Sequence, residues 1–134
     1  KLLSRLKLQQ GGLGQFADYL PSEISGGMQK RAAVARAMAL DPGILFLDEP
    51  SAGLDPITSA ELDELVRSLA RNLGITFVIA THELASIFAI GDRAIMLDGG
   101  SIVAEGAPAE LQDHPSNDYV RAFFRREPEL VRAA

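Results

Sequence analysis

At 134 residues, with 47% hydrophobic and 23% charged side chains, the chain carries enough apolar material for one globular domain with its own core, which excludes a disordered tract. A net charge of −5 without any basic run argues against a nucleic-acid partner, and the lack of cysteine removes disulfides and thiolate metal sites. No apolar run nears the roughly 18 to 20 residues of a bilayer span and no signal peptide opens the chain, so a soluble domain is expected, one able to dock on a membrane protein.

The chain opens with leucines at 2, 3, 6 and 8 in helical spacing, without a start Met or a capping residue ahead of them, which reads as the cut end of a longer chain. Glycines after Gly11 and the break at Tyr19-Leu20-Pro21 predict a loop up to Ser25 with at most a short helix. Ser25 is a candidate N-cap for an alanine-rich helix from about Gly26 to Leu40, stopped by Asp41-Pro42-Gly43. The apolar run Ile44 to Leu47 predicts a strand buried on both faces of a parallel sheet. Asp55 as N-cap and Pro56 at the first helical position open a second helix, with Leu62, Leu65, Val66, Leu69 and Leu73 as its apolar stripe and Gly74 as its stop. A second buried strand follows over Ile75 to Ala80, then a short helix containing Leu84, Ile87 and Phe88. Arg93 to Leu97, the Asp98-Gly99-Gly100 turn and Ser101 to Ala104 predict a hairpin. Two short helices over Pro108 to Gln112 and Asn117 to Arg125 close the reading before a charged tail. Strand, helix, strand, helix is an α/β pattern. Met38 and Met96 are expected in the core.

In open α/β sheets ligands sit outside the carboxyl ends of the strands, where this chain sets Asp48, Glu49 and His82. One carboxylate there can hold Mg²⁺ while its neighbour orients a water for attack, a division that suits phosphoryl transfer. His82 can donate to a phosphate oxygen, and Ser25-Gly26-Gly27 offers backbone N–H groups at a helix N-terminus. Each feature has a plainer reading: a capped turn, a solvated strand end, a structural histidine.

Together, the stretch from Ile24 to Pro56 and the later Ala80-Thr81-His82-Glu83 resemble the nucleotide-binding domain of an ATP-binding cassette (ABC) transporter. Ile24 to Gln29 is similar to the signature motif, Ile44 to Glu49 to the Walker B strand, Ser51 to Asp55 to the D-loop and His82 to the switch histidine. The resemblance implies ATP and Mg²⁺ as cofactors, Asp48 at the metal and Glu49 and His82 as catalytic residues. It implies that Ser25, Gly26, Gly27, Met28 and Asp55 face nucleotide across a head-to-tail dimer with a second nucleotide-binding subunit. It also implies membrane permease subunits and a peripheral place on the cytoplasmic face of the bacterial inner membrane.

The family's commonest signature begins with Leu and ends in Gln, where this chain has Ile24 and Met28. "SGGM" and "LDPIT" resemble the branch that moves phospholipid between bacterial membranes, which implies a small regulatory subunit and a periplasmic lipid-binding protein. An importer of a small solute is the alternative. No Gly-x-x-x-x-Gly-Lys-Ser/Thr occurs in the chain, and Gln9 and Gln10 sit too near the signature to be the family's sensing glutamine. Residues 1–134 therefore read as the C-terminal part of such a P-loop NTPase domain, with a signature helix, parallel core strands and a C-terminal hairpin, and inactive alone. A DNA-repair or chromosome-maintenance ATPase head would need a coiled coil leading into the signature, and the heptads for one are missing. A non-catalytic assembly module is the third class.

Overall fold

The computed structural model describes residues 1–126, in two compact units, Lys1–His82 and the residues from Glu83 onward. The charged tail expected after Arg125 lies, from residue 127, outside the described residues.

In the first unit, α1 (Leu2–Gln10) forms where the leucine spacing predicts it, yet Leu2, Leu3 and Leu6 are exposed and Lys7 is the residue it buries. The apolar stem of Lys7 packs inward and its ammonium is neutralised by Asp41. Two single 3-10 turns, Gly14–Phe16 and Pro21–Glu23, occupy the expected loop. Helix α2 (Gly26–Ala37) runs into a 3-10 turn, Met38–Leu40, and stops at Asp41 with φ 49°, a left-handed residue that cannot continue the helix. Helix α3 (Pro56–Leu73) starts on Asp55 and ends on left-handed Gly74 with φ 66°.

Strands β1 (Ile44–Asp48) and β2 (Thr76–Ala80) pair in parallel, Ile44 opposite Thr76 and Asp48 opposite Ala80. Val34 and Met38 of α2, Leu62 and Leu69 of α3, Leu45 and Ile75 make one core. The expectation of strands buried on both faces is corrected. Leu45 is 4% exposed, but its neighbours Ile44 and Phe46 are 57% and 75% exposed and Val78 is 45% exposed. Side chains alternate across a strand, and α2 and α3 cover only the face that carries Leu45.

The second unit holds α4 (Leu84–Ile90), the antiparallel hairpin β3 (Ala94–Asp98) and β4 (Ser101–Gly106), α5 (Pro108–Asp113) and α6 (Asp118–Arg125). Gly99 and Gly100 both take positive φ, 54° and 79°, which a two-residue hairpin turn of this hand requires. Ala104, Leu111, Val120 and Phe124 form its core, with Met96, Leu84 and Ile87 packed against them. Asn117 caps α6 by accepting from the Val120 N–H at 2.9 Å.

Candidate functional site

The parallel register ends β1 and β2 level, at Asp48 and Ala80, so the residues just beyond them meet. The Glu49 N–H donates to the Ala80 carbonyl at 2.9 Å, one last rung of the ladder. Glu49 then departs from strand geometry with φ 42°, a left-handed backbone that a non-glycine residue adopts at a cost of about 1 to 3 kcal/mol. Its carboxylate lies between the two residues that follow β2. His82 Nδ1 is 2.7 Å from Oε1, and the Thr81 hydroxyl donates to Oε2 at 3.2 Å. An ionised carboxylate only accepts, so the proton between Glu49 and His82 sits on the imidazole.

The His82 hydrogen bond is the main cause that holds the Glu49 carboxyl below the ordinary carboxylate range; partial desolvation opposes it, and the His82 charge and the Thr81 hydroxyl lower it further. Glu49 is thus the ionised, proton-accepting partner at neutral pH. A group whose pKa is depressed in the fold contributes its interaction above the ordinary value and loses it as pH falls through the lowered one. The carboxyl carbon of Glu49, followed by NMR, is expected to titrate below the usual value of about 4.3, and His82→Ala to move the midpoint upward. An unchanged midpoint in His82→Ala would show that the histidine does not set it.

Asp48 is exposed at the end of β1. Among the described residues no group of three or more His, Asp or Glu is arranged as a metal cage. A lone carboxylate still fits Mg²⁺, which keeps most of its waters and is usually held by one or two carboxylates together with substrate phosphates.

Ser25 and the glycines form a second group. Ser25 caps α2, its Oγ accepting from the Met28 N–H at 3.3 Å, and the Gln29 side chain ties the turn back to the Pro21 carbonyl at 2.9 Å. Gly26 is exposed, while Gly27 is buried against α3: a Cβ there would lie 2.3 Å from Thr58 Cγ2. The two glycines have different jobs, Gly26 leaving the turn open and Gly27 letting two helices touch. The cavity beside them, lined by Ser25, Gly27, Met28, Arg31, Thr58 and Glu61 among others, is about 230 Å³. That is below the roughly 300 Å³ at which small-molecule sites begin, so the turn is an edge and not a pocket.

The Asp55 carboxylate is committed to α3. Oδ1 accepts from the N–H groups of Ile57 and Thr58 at 3.0 and 3.1 Å, and Oδ2 from the Thr58 hydroxyl at 2.6 Å. That hydroxyl is the first cause holding the Asp55 carboxyl below its ordinary range. Arg31 and Glu61, a turn further along each helix, pair at 3.0 Å.

The structure therefore joins Glu49 to His82, and the Ser25-Gly26-Gly27 turn to the start of α3. Sequence reasoning missed Thr81, Thr58 and the packing role of Gly27. Asp55 followed three residues later by Thr58 at a helix start was a usable signal for one of them; the contacts of Gly27 and Thr81 come from the tertiary fold.

The family model described as ABC transporter matches residues 1–52. The chain is 44% identical over 119 residues to the glycine betaine/proline betaine transport system ATP-binding protein of Escherichia coli, covering 88% of this chain and 30% of that one. It is 36% identical over 126 residues to a glutamine transport ATP-binding protein of Bacillus subtilis, covering 94% of this chain and 52% of that one. Among solved structures, cbiO1 from Clostridium perfringens, part of the ABC transporter complex cbiONQ, superposes with a TM-score of 0.78 at 29% identity, over 98% of this chain and 51% of the other. The chain spans about a third to half of the length of these proteins.

Proposed function

We propose, from the premise that this chain carries the α/β fold of an ABC transporter ATP-binding domain, that the full-length protein is the ATP-hydrolysing subunit of an importer for a small solute. The observation that carries the ATPase reading is the Glu49 carboxylate, ionised, held by His82 and Thr81 beyond two parallel strands and next to Asp48. In that reading Asp48 holds Mg²⁺ at the nucleotide phosphates and Glu49 orients the attacking water, with His82 beside it. Ser25, Gly26, Gly27 and Met28 supply the N-terminal edge of α2 to ATP held by a second copy, and Asp55 acts through the helix it caps.

The solute reading is supported by relatives named for betaine and glutamine transport. The phospholipid reading expected first from the sequence rests on Met28 and the Leu54 to Thr58 stretch, as do its regulatory subunit and periplasmic lipid-binding protein, and these relatives favour the small-solute alternative over it. Among the described residues no helix is long and apolar enough to cross a membrane. Permease subunits and a peripheral seat on the cytoplasmic face of the membrane complete the proposal. A chain that spans 30% and 52% of these two relatives and leaves Ile44, Phe46 and Val78 uncovered supports reading it as part of a larger domain.

Mg²⁺-dependent ATP turnover by the full-length protein, with none from residues 1–134 alone, is the expected result. Deletion of the gene is expected to abolish uptake of a small polar solute such as glycine betaine or glutamine and to leave detergent sensitivity unchanged. Intact uptake with raised detergent sensitivity would return the phospholipid reading; turnover by residues 1–134 alone would refute their incompleteness.

A further inference from the structure

We propose that Thr58 is a positioning residue that makes the glycine turn at the start of α2 and the Asp55 corner at the start of α3 move as one unit. This rests on the ATPase reading above. One side chain touches both parts. The Thr58 methyl fills the space where Gly27 lacks a Cβ, which a real Cβ would enter to within 2.3 Å, and the Thr58 hydroxyl donates to Asp55 Oδ2 at 2.6 Å. Capping α3 does not require that hydroxyl, because Asp55 Oδ1 already accepts from the Ile57 and Thr58 N–H groups. Its bond goes to the other oxygen and so fixes the plane of the carboxylate.

A β-branched side chain in a helix has few χ1 choices, and here each branch has a partner, so neither can move without displacing the other. Two further contacts run beside it: Gly26 faces Leu54 Cδ2, at 3.9 Å from an added Cβ, and Arg31 pairs with Glu61 at 3.0 Å. A shift of Ser25 on nucleotide is thereby passed to Asp55, the last residue of the loop that follows Glu49.

Two substitutions separate the branches. Thr58→Val keeps the methyl against Gly27 and loses the hydroxyl; Thr58→Ser keeps the hydroxyl and loses the methyl. In the full-length protein, Thr58→Val is expected to lower kcat about tenfold with KM for ATP and melting temperature unchanged, as a misplaced group in an otherwise intact site does. Thr58→Ser is expected to recover kcat to within about twofold while melting a few degrees lower. Amide exchange at Ile57 and Thr58, measured without nucleotide, is expected to quicken in Thr58→Val only. Val at the parent kcat, or Val and Ser losing kcat in step with melting temperature, would overturn the proposal. A parent protein that fails to hydrolyse ATP sinks the ATPase reading instead, and exchange that is unchanged in Thr58→Val would then refute the hold on Asp55 by itself.

Discussion

Glu49→Gln is expected to leave nucleotide binding nearly whole and to cut the ATP turnover of the full-length protein by at least about a hundredfold, the scale at which a positioned base is lost. Glutamine has the shape of glutamate and the same aversion to the left-handed backbone at position 49, so the fold at the end of β1 is unaltered by the change. It retains an oxygen for the Thr81 hydroxyl or for His82, but it carries no charge and accepts no proton. A hundredfold loss corresponds to about 2.7 kcal/mol of transition-state stabilisation, more than a neutral hydrogen bond supplies and in the range for a base. Asp48→Asn serves as the contrast, since its deficit should diminish as Mg²⁺ is raised, whereas that of Glu49→Gln should not. Turnover of Glu49→Gln at the parent rate would remove Glu49 from the chemistry.

Gly27→Ala is expected to destabilise the fold by about 1 to 2 kcal/mol, seen as a lower urea midpoint with an unchanged slope. Propensity alone argues the other way, because alanine is favoured over glycine in a helix by up to about 1 kcal/mol. Contact decides it. With Thr58 Cγ2 only 2.3 Å from the new Cβ, either Thr58 rotates and gives up Asp55, or α2 and α3 separate and loosen the packing of Val34 against Leu62. Gly26→Ala, whose added Cβ would have 3.9 Å to its nearest neighbour, should be close to neutral. Adding Thr58→Ser to Gly27→Ala removes the clashing methyl and should recover most of the loss, a coupling expected only of residues in contact. Equal stability of Gly26→Ala and Gly27→Ala would contradict the close approach.

The local signals of the sequence carried well. Ser25 and Asp55 each cap the helix they precede, and Gly74, Gly99 and Gly100 each take the positive φ their turns require; Asn117, expected inside the last helix, is its cap instead. These features are settled within four or five residues of chain, which is why residue type alone announces them. Burial was read less well, because it depends on what lies across a face. Leu2, Leu3 and Leu6 of α1 have helical spacing but are exposed, and the continuous apolar run of β1 has one covered side. The site divides the same way. Asp48, Glu49 and His82 were legible as polar residues at strand ends, yet the meeting of Glu49 with His82 and Thr81 depends on the parallel register, and the left-handed backbone at Glu49 on the turn into Pro50. Gly27 was read as an anion-binding glycine; its buried contact with Thr58 is a property of two helices crossing, which no window of sequence contains.

The half-covered sheet has a consequence for biosynthesis. Ile44, Phe46 and Val78 present an apolar surface on one face, and within the described residues β1 and β2 pair only with each other, so their outer backbone edges are open as well. Ile44 to Leu47 is short, uncharged and free of proline, the composition that stacks strand on strand between identical chains. Residues 1–134 produced alone are therefore expected to collect in inclusion bodies, and a charged residue in place of exposed Phe46 is expected to raise the soluble yield.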